Sequence, residues 1–328
     1  MTPNTSTRRH HLRKLALGLL AACGLGGAWA QGSYPERTIR IVTPYAPGSM
    51  VDATTRLVAD GLSKRLGQPV MVENRTGGMG MIAMNALLSA PADGYTLLTD
   101  TPASAINPTL HKEQARYNPK TDVAPIAQFM RLPFVLAVHP DVSAGTAKEL
   151  VSLLKQPGSQ WNAAGAGTST GLVTDLFAIQ AGVQLPQVPY RGAAPAILAA
   201  LKGEAPVIFL DSANLAPHIQ SGKLKGLLVT SDARQDTLPS VPTSAEAGFG
   251  NFKPVTWFGI FARSGVPPHI LKQLNEAVRE VMQSSQTREY LKARGATSSD
   301  MGLDEFRSFF HAEIDMWADV IRKAQIKQ

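Results

Sequence analysis

The residue types that most often do chemistry are sparse in this 328-residue sequence, and their spacing is wrong for catalysis. Beyond residue 30 the histidines are His111, His139, His218, His269 and His311. None forms an H-x-x-x-H or H-E-x-x-H pair, so a helical metal site has no ligands one turn apart. His139 precedes a proline at a strand end and His269 follows two prolines at a helix start, and both read as structural or solvated rather than catalytic. The single cysteine is Cys23, which leaves the rest of the chain without a thiolate nucleophile, disulfide or cysteine-based metal site. No G-x-S-x-G elbow is present. The run GAGTSTG at 165–171 has glycines after a strand but misses the G-x-G-x-x-G spacing, which argues against a dinucleotide site.

What the sequence offers instead is a set of loops rich in small residues: APGSMVD, DTPASAINP, AGAGTSTGL, YRGAAPAI and LDSANLAP. Each stands between a strand-like run and a helical pattern. Such loops expose the first backbone N–H groups of the following helix, and those donors together with the helix dipole favour an anion. Glycine lets the backbone approach a ligand closely. Several such termini facing one cleft bind a carboxylate with neutral donors alone. The first loop, PYAPGSMVD at 44–52, holds no cation at all. Ordinary capping competes with this reading, because Ser49 with Asp52 three residues on forms a capping-box pattern in which Asp52 serves the Ser49 N–H.

The elements that must position these loops alternate. Strand candidates are TIRIV, PVMVE, YTLLT, VAPIAQF, FVLAVHP, QWNAA, QVPY, PVIFL and KGLLV, with helical spacing between them. This predicts an α/β fold of mostly parallel sheets flanked by helices. Val51, Thr55, Val58, Leu62 and Leu66 make one buried stripe, ended by Gly67. FMRLPFVLAVHP and NFKPVTWFGIF read as long extended segments crossing between two lobes, which places a ligand cleft between them. Lobe 1 is expected over 31–131, lobe 2 over 132–250, and a crossover strand with C-terminal helices returning to lobe 1 over 251–328.

Residues 1–30 read as an export signal: Arg8, Arg9, Arg13 and Lys14, then LALGLLAACGLGGAWA, with cleavage expected after Ala30. An alternative is lipoprotein processing at Cys23, within L-A-A-C. The Arg8-Arg9 pair also leaves twin-arginine export open beside the general route. The formal charge of +7 owes four positive residues to this segment, leaving 28 Lys and Arg against 25 Asp and Glu. That near balance argues against a nucleic-acid partner.

The chain resembles the solute-binding receptors of tripartite tricarboxylate transporters, the Bug family. The motifs that carry the resemblance are YPERTIRIV, GQPVMVENRTGGMG at 67–80, PADGYTLL at 91–98, INPTL at 106–110, VPYRG at 188–192, LPSVPTSAEAG at 238–248 and WFGIFARSGVP at 257–267. The resemblance implies a periplasmic, non-enzymatic, two-lobed binding protein of type II-like architecture, monomeric and without cofactor or metal. It would close over a small carboxylate and hand it to the membrane permease subunits of such a transporter. A sensor role, docking to a signalling ectodomain, is the alternative.

Carried over by motif, Tyr45, Ala46, Gly48 and Asp52 fall on the first loop, Thr101 and Ser104 after the third strand, Thr168 and Ser169 at the opening of the second lobe's first helix, and Tyr190 and Asp211 at later strand ends. Two departures bear on the ligand. The family's P-G-G-S-T-D is here Pro47-Gly48-Ser49-Met50-Val51-Asp52, and Gly171 stands where the family has His. Losing an imidazole and gaining a thioether shifts the expected ligand toward an aromatic or otherwise apolar carboxylate, with Ser49 and Met50 in its site. The competing reading turns Met50 toward the core.

Overall fold

The computed structural model describes residues 34–166, 168–190 and 192–325. The expected signal segment, with its cleavage site and Cys23, lies outside the described residues. From Arg37 onward the chain forms one unit built on a mixed sheet with the path β2-β1-β3-β9-β4-β7-β5-β6. Its strands are β1 (Ile39–Thr43), β2 (Val70–Asn74), β3 (Thr96–Asp100), β4 (Val123–Val138), β5 (Ala163–Gly165), β6 (Gln187–Pro189), β7 (Val207–Asp211), β8 (Lys225–Val229), β9 (Val255–Arg263) and β10 (Thr297–Ser298).

The sheet has parallel flanks and an antiparallel middle. β1 pairs in parallel with β2 and β3, and β5 pairs in parallel with β6 and β7. Between the flanks, β4 runs antiparallel to β9 from Val123 to Pro133, then antiparallel to β7 and β8 from Phe134 to Val138. The sequence reads this stretch as two strands, but it is one continuous strand that changes partners at Pro133–Phe134. Proline lacks the N–H that a ladder requires, and it sits where the partners change. β4 thus carries the chain from one half to the other, and β9 carries it back. This is the two-lobed α/β plan that the alternating elements predict.

The helices are α1 (Met50–Leu66), α2 (Met81–Leu88), α3 (Ala103–Leu110), α4 (Ala147–Leu154), α5 (Thr168–Ala181), α6 (Ala193–Leu201), α7 (Ser212–Gln220), α8 (Pro268–Gln283), α9 (Ser285–Lys292) and α10 (Leu303–Lys323). In α1 the expected stripe is buried at Val51, Thr55, Val58 and Leu62, and Gly67 closes the helix at φ 69. α10 seals the first half: Phe306 and Phe310 pack edge-on to Trp257 at 5.8 and 6.0 Å. In the second half Phe177 contacts Phe209 and Phe252 at 5.3 and 5.5 Å. Buried Glu313 on α10 accepts from the indoles of Trp257 (2.9 Å) and Trp317 (3.0 Å). Burial pushes its pKa up, partly offset by the two indole hydrogen bonds.

Candidate functional site

Strand direction brings the small-residue loops together. β3 runs in the same direction as β4, because both are antiparallel to β9, and its last residue, Asp100, shares a row with Gly259 and Gln128. β7 runs the opposite way and ends at Asp211 opposite Phe134. The two strand ends therefore point at each other along β4, from the Gln128 row to the Phe134 row. Six residues of strand at roughly 3.3 Å each separate those rows by about 20 Å. β1 parallels β3, and β5 and β6 parallel β7, so every one of the five loops leaves its strand toward this gap.

The first loop is fastened from inside by Asp52. Its buried carboxylate accepts from the Gly48 N–H (2.9 Å), Asn74 Nδ2 (2.7 Å) and Arg56 Nε (3.1 Å). Burial pushes this carboxyl up, but the hydrogen bonds from Arg56, Asn74 and Gly48 outweigh it and hold the pKa below the ordinary value. Asn74 also donates to the Tyr45 carbonyl (2.9 Å), tying the loop to the end of β2.

The capping box is made in altered form. Ser49 Oγ accepts from the Asp52 N–H at 3.2 Å, whereas the returning carboxylate takes the Gly48 N–H rather than that of Ser49. The Ser49 N–H instead closes a turn onto the Ala46 carbonyl (3.1 Å), which Gly48 permits at φ 80. Among the described residues, the N–H groups of Met50 and Val51 in the first turn of α1 have no acceptor. Ala46 and Gly48 are exposed, and Met50 is half-exposed beside them.

Behind this loop lies a buried polar cluster. The Tyr45 hydroxyl is 2.5 Å from Thr101 Oγ1 and 3.5 Å from Asp100 Oδ1, while the Thr101 N–H donates to the same carboxylate oxygen at 2.8 Å. Burial raises the Asp100 pKa to about 7, against the lowering effect of the Thr101 and Tyr45 hydrogen bonds. Burial, then the Asp100 charge, raises Tyr45 as well. Ser104 is buried and its hydroxyl donates to the Thr101 carbonyl (2.9 Å), so it braces the loop rather than presenting a donor.

On the opposite side, Thr168 is exposed and Ser169 half-buried at the start of α5. Tyr190 is half-buried, its N–H donating to the Gly165 carbonyl (2.8 Å). Asp211 caps α7 by accepting from the Asn214 N–H (3.1 Å), and burial raises its pKa despite that bond. Gly171 leaves room for Gln187, whose Nε2 donates to the Gly171 carbonyl (3.1 Å) and to Asp175 (2.8 Å). A Cβ at Gly171 would lie 3.2 Å from Gln187 Oε1, so the amide occupies space that a larger residue there would need.

The arrangement is one of donors and small surfaces, and among the described residues no cluster of metal-ligating side chains occurs. The family model described as "Tripartite tricarboxylate transporter family receptor" matches residues 54–326. The chain belongs to that receptor family. As a member, it is a solute-binding receptor rather than an enzyme. Protein BugT of Bordetella pertussis (strain Tohama I) is 32% identical over 311 residues, covering 94% of this chain and 95% of BugT. R. palustris Rpa4515, solved with adipate, superposes with a TM-score of 0.75 at 29% identity, covering 89% of this chain and 98% of that one. MatC from Rhodopseudomonas palustris with bound malate gives 0.73 at 28%, covering 88% and 100%.

Against this receptor background, four residues stand out that sequence reading does not single out. Asn74 and Arg56 hold Asp52, Asp100 anchors the Tyr45–Thr101 pair, and Met79 occupies the left-handed region at φ 54 while half-exposed. The Met79 carbonyl is held by Asn107 Nδ2 at 2.9 Å. Its neighbour Gly80 abuts Pro44, since a Cβ there would be 3.6 Å from the Pro44 Cβ. Asn74 and Met79 both lie within VENRTGGMG, whose glycines were the available signal.

Proposed function

We propose that this chain is a periplasmic receptor that captures a small carboxylate between two lobes and delivers it to the membrane subunits of a tripartite tricarboxylate transporter. The observation that carries the reading is the pair of acceptor-free N–H groups of Met50 and Val51, in a loop without cations that leaves β1 toward the gap between opposed strand ends. The adipate and malate held by relatives of the same fold support the carboxylate class. One end of the anion docks on the α1 terminus, and closure brings Thr168, Ser169 and Tyr190 over its far end. The boundaries 31–131, 132–250 and 251–328 then delimit the moving parts, with the β4 partner change at Pro133–Phe134 as one hinge strand. A ligand that contacts both lobes selects the closed state by its differential affinity.

We further assign an aromatic or apolar body to the ligand. Half-exposed Met50 and Met79 border the cradle with thioethers, and no imidazole stands at 171. A thermal-shift panel tests this assignment. Benzoate- and terephthalate-like acids are expected to raise the melting temperature more than amino acids or citrate, through binding to the native state alone. The reverse order overturns the apolar assignment.

A further inference from the structure

A cavity of about 550 Å³ lies beside the crossing strands, lined by Arg131 and Pro133 of β4, the 230–237 segment after β8, the start of β9, α9 and the Gly295–Ser298 run. None of the loop residues of the candidate receptor site lines it. Five cationic side chains face two acidic ones in its wall. Three of the cations are already paired: Lys253 with Asp232 (2.7 Å), Lys292 with Asp236 (2.8 Å) and Arg234 with Glu246 (2.9 Å). Arg131 and Arg288 make no direct ion pair among the described residues, although the charge of Arg131 acts on the Asp232 and Glu313 carboxylates nearby. Arg131 lies over the Phe309 ring at 5.8 Å.

A second, independent observation converges on the same wall. Arg131 Nε, Gln235 Oε1 and Thr237 Oγ1 are buried without a hydrogen-bond partner, and all three residues line the cavity. Buried polar atoms in folded proteins are normally satisfied, so a cluster of orphans beside one cavity marks a place completed by something absent from the chain. Gly295 lies beside them: a Cβ on it would sit in ordinary contact, 3.5 Å from Gln235 Oε1 and from Thr237 Oγ1, and closer, 3.1 Å, to Ser212 Oγ, and its φ of +67 suits glycine. The rest of the wall is apolar at Pro133, Ala233, Val255 and Ala296, and the volume falls in the range of small-molecule sites, roughly 300–1,000 Å³.

We infer that this cavity is a second ligand site, distinct from the interlobe cradle, that takes a small organic anion with an apolar body through Arg131 and Arg288. The two guanidiniums supply charge-assisted hydrogen bonds to a carboxylate and the Thr237 hydroxyl can donate a further one, Gln235 Oε1 being an acceptor that water must serve, and the apolar wall receives the body. The test is an amide NMR titration of the protein with sodium benzoate, using benzamide as the uncharged control. Saturable shifts are expected at Ala233, Gly295 and Ala296, absent with benzamide. Arg288→Gln and Arg131→Gln are each expected to weaken those shifts by about tenfold or more, the scale of one hydrogen bond to a charged group. Arg288 is exposed, so its variant keeps the test clean if the Arg131 variant is poorly folded. Shifts confined to Met50 and Val51, or cavity shifts equal in wild type and the Arg288 variant, overturn the second site, and the first of these outcomes leaves the cradle reading standing.

Discussion

Replacing Asp100 with Asn is expected to stabilise the protein at alkaline pH and to do nothing at acid pH. Asp100 is 4% exposed and its carboxyl is raised to about 7 in the folded chain from an ordinary 3.8. Between about pH 4 and 7 the folded state therefore binds a proton that the unfolded state has released. Stability from this group is complete below the lower value and is lost as the pH rises through the upper one. The gap corresponds to about 4 kcal/mol at full ionisation. Asn keeps an acceptor for the Thr101 N–H and the Tyr45 hydroxyl without ever ionising. Urea unfolding of both proteins at intervals from about pH 4 to pH 8 isolates the effect, because every other titrating group cancels in the difference. The difference should be near zero at the acid end and grow toward about 4 kcal/mol at the alkaline end. A difference that does not change with pH refutes the argument that burial of a charge dominates at this strand end.

Asp52→Ala removes the acceptor of the Gly48 N–H and one of the two acceptors of the half-buried Asn74 amide, which keeps the Tyr45 carbonyl, and should cost about 1–2 kcal/mol in denaturant unfolding, Arg56 counting for little because it is half-exposed. Gly48→Ala meets no atom within 4 Å, so its cost should be the backbone strain of φ +80, about 1–2 kcal/mol, together with weaker ligand binding by calorimetry; unchanged affinity would count against this loop. Gly171→His should lower the melting temperature, and adding Gln187→Ser should recover it; equal values for the single and double variants would show that the amide does not fill that space. Glu313→Gln should be tolerated near neutral pH, whereas Glu313→Leu strands two buried indole donors and should cost about 2 kcal/mol or more by the same unfolding assay.

Element type and order were legible because the apolar periodicities are strong: KGLLV is β8, and the α1 stripe is buried at Val51, Thr55, Val58 and Leu62. The single strand β4 was harder to read, since Pro133 breaks the pattern at the point where the strand only changes partners. β10 is two residues long and owes its pairing to Arg131 and Met130 of β4, which no local pattern reveals. At the site, the loops and the Ser49–Asp52 relation could be read from spacing. The destination of the Asp52 carboxylate could not, because Asn74 arrives from 22 residues away, at the end of β2. Asp100 lies within the quoted DTPASAINP loop, but only tertiary burial gives it a near-neutral pKa and a tyrosine partner.

The central claim is that backbone N–H groups at the start of α1 hold a carboxylate. Titration calorimetry of the purified protein with benzoate, terephthalate, adipate and malate, each beside its uncharged amide, tests it most directly, repeated for the best ligand on Val51→Pro, which removes one of the two acceptor-free donors. In the Arg288→Gln background, which weakens the second cavity site, at least one acid should bind saturably at one per chain, its amide should not, and the proline variant should bind about tenfold or more weakly with its fold intact by circular dichroism. Failure of every acid to bind, equal affinity for acid and amide, or full affinity in the proline variant would contradict it.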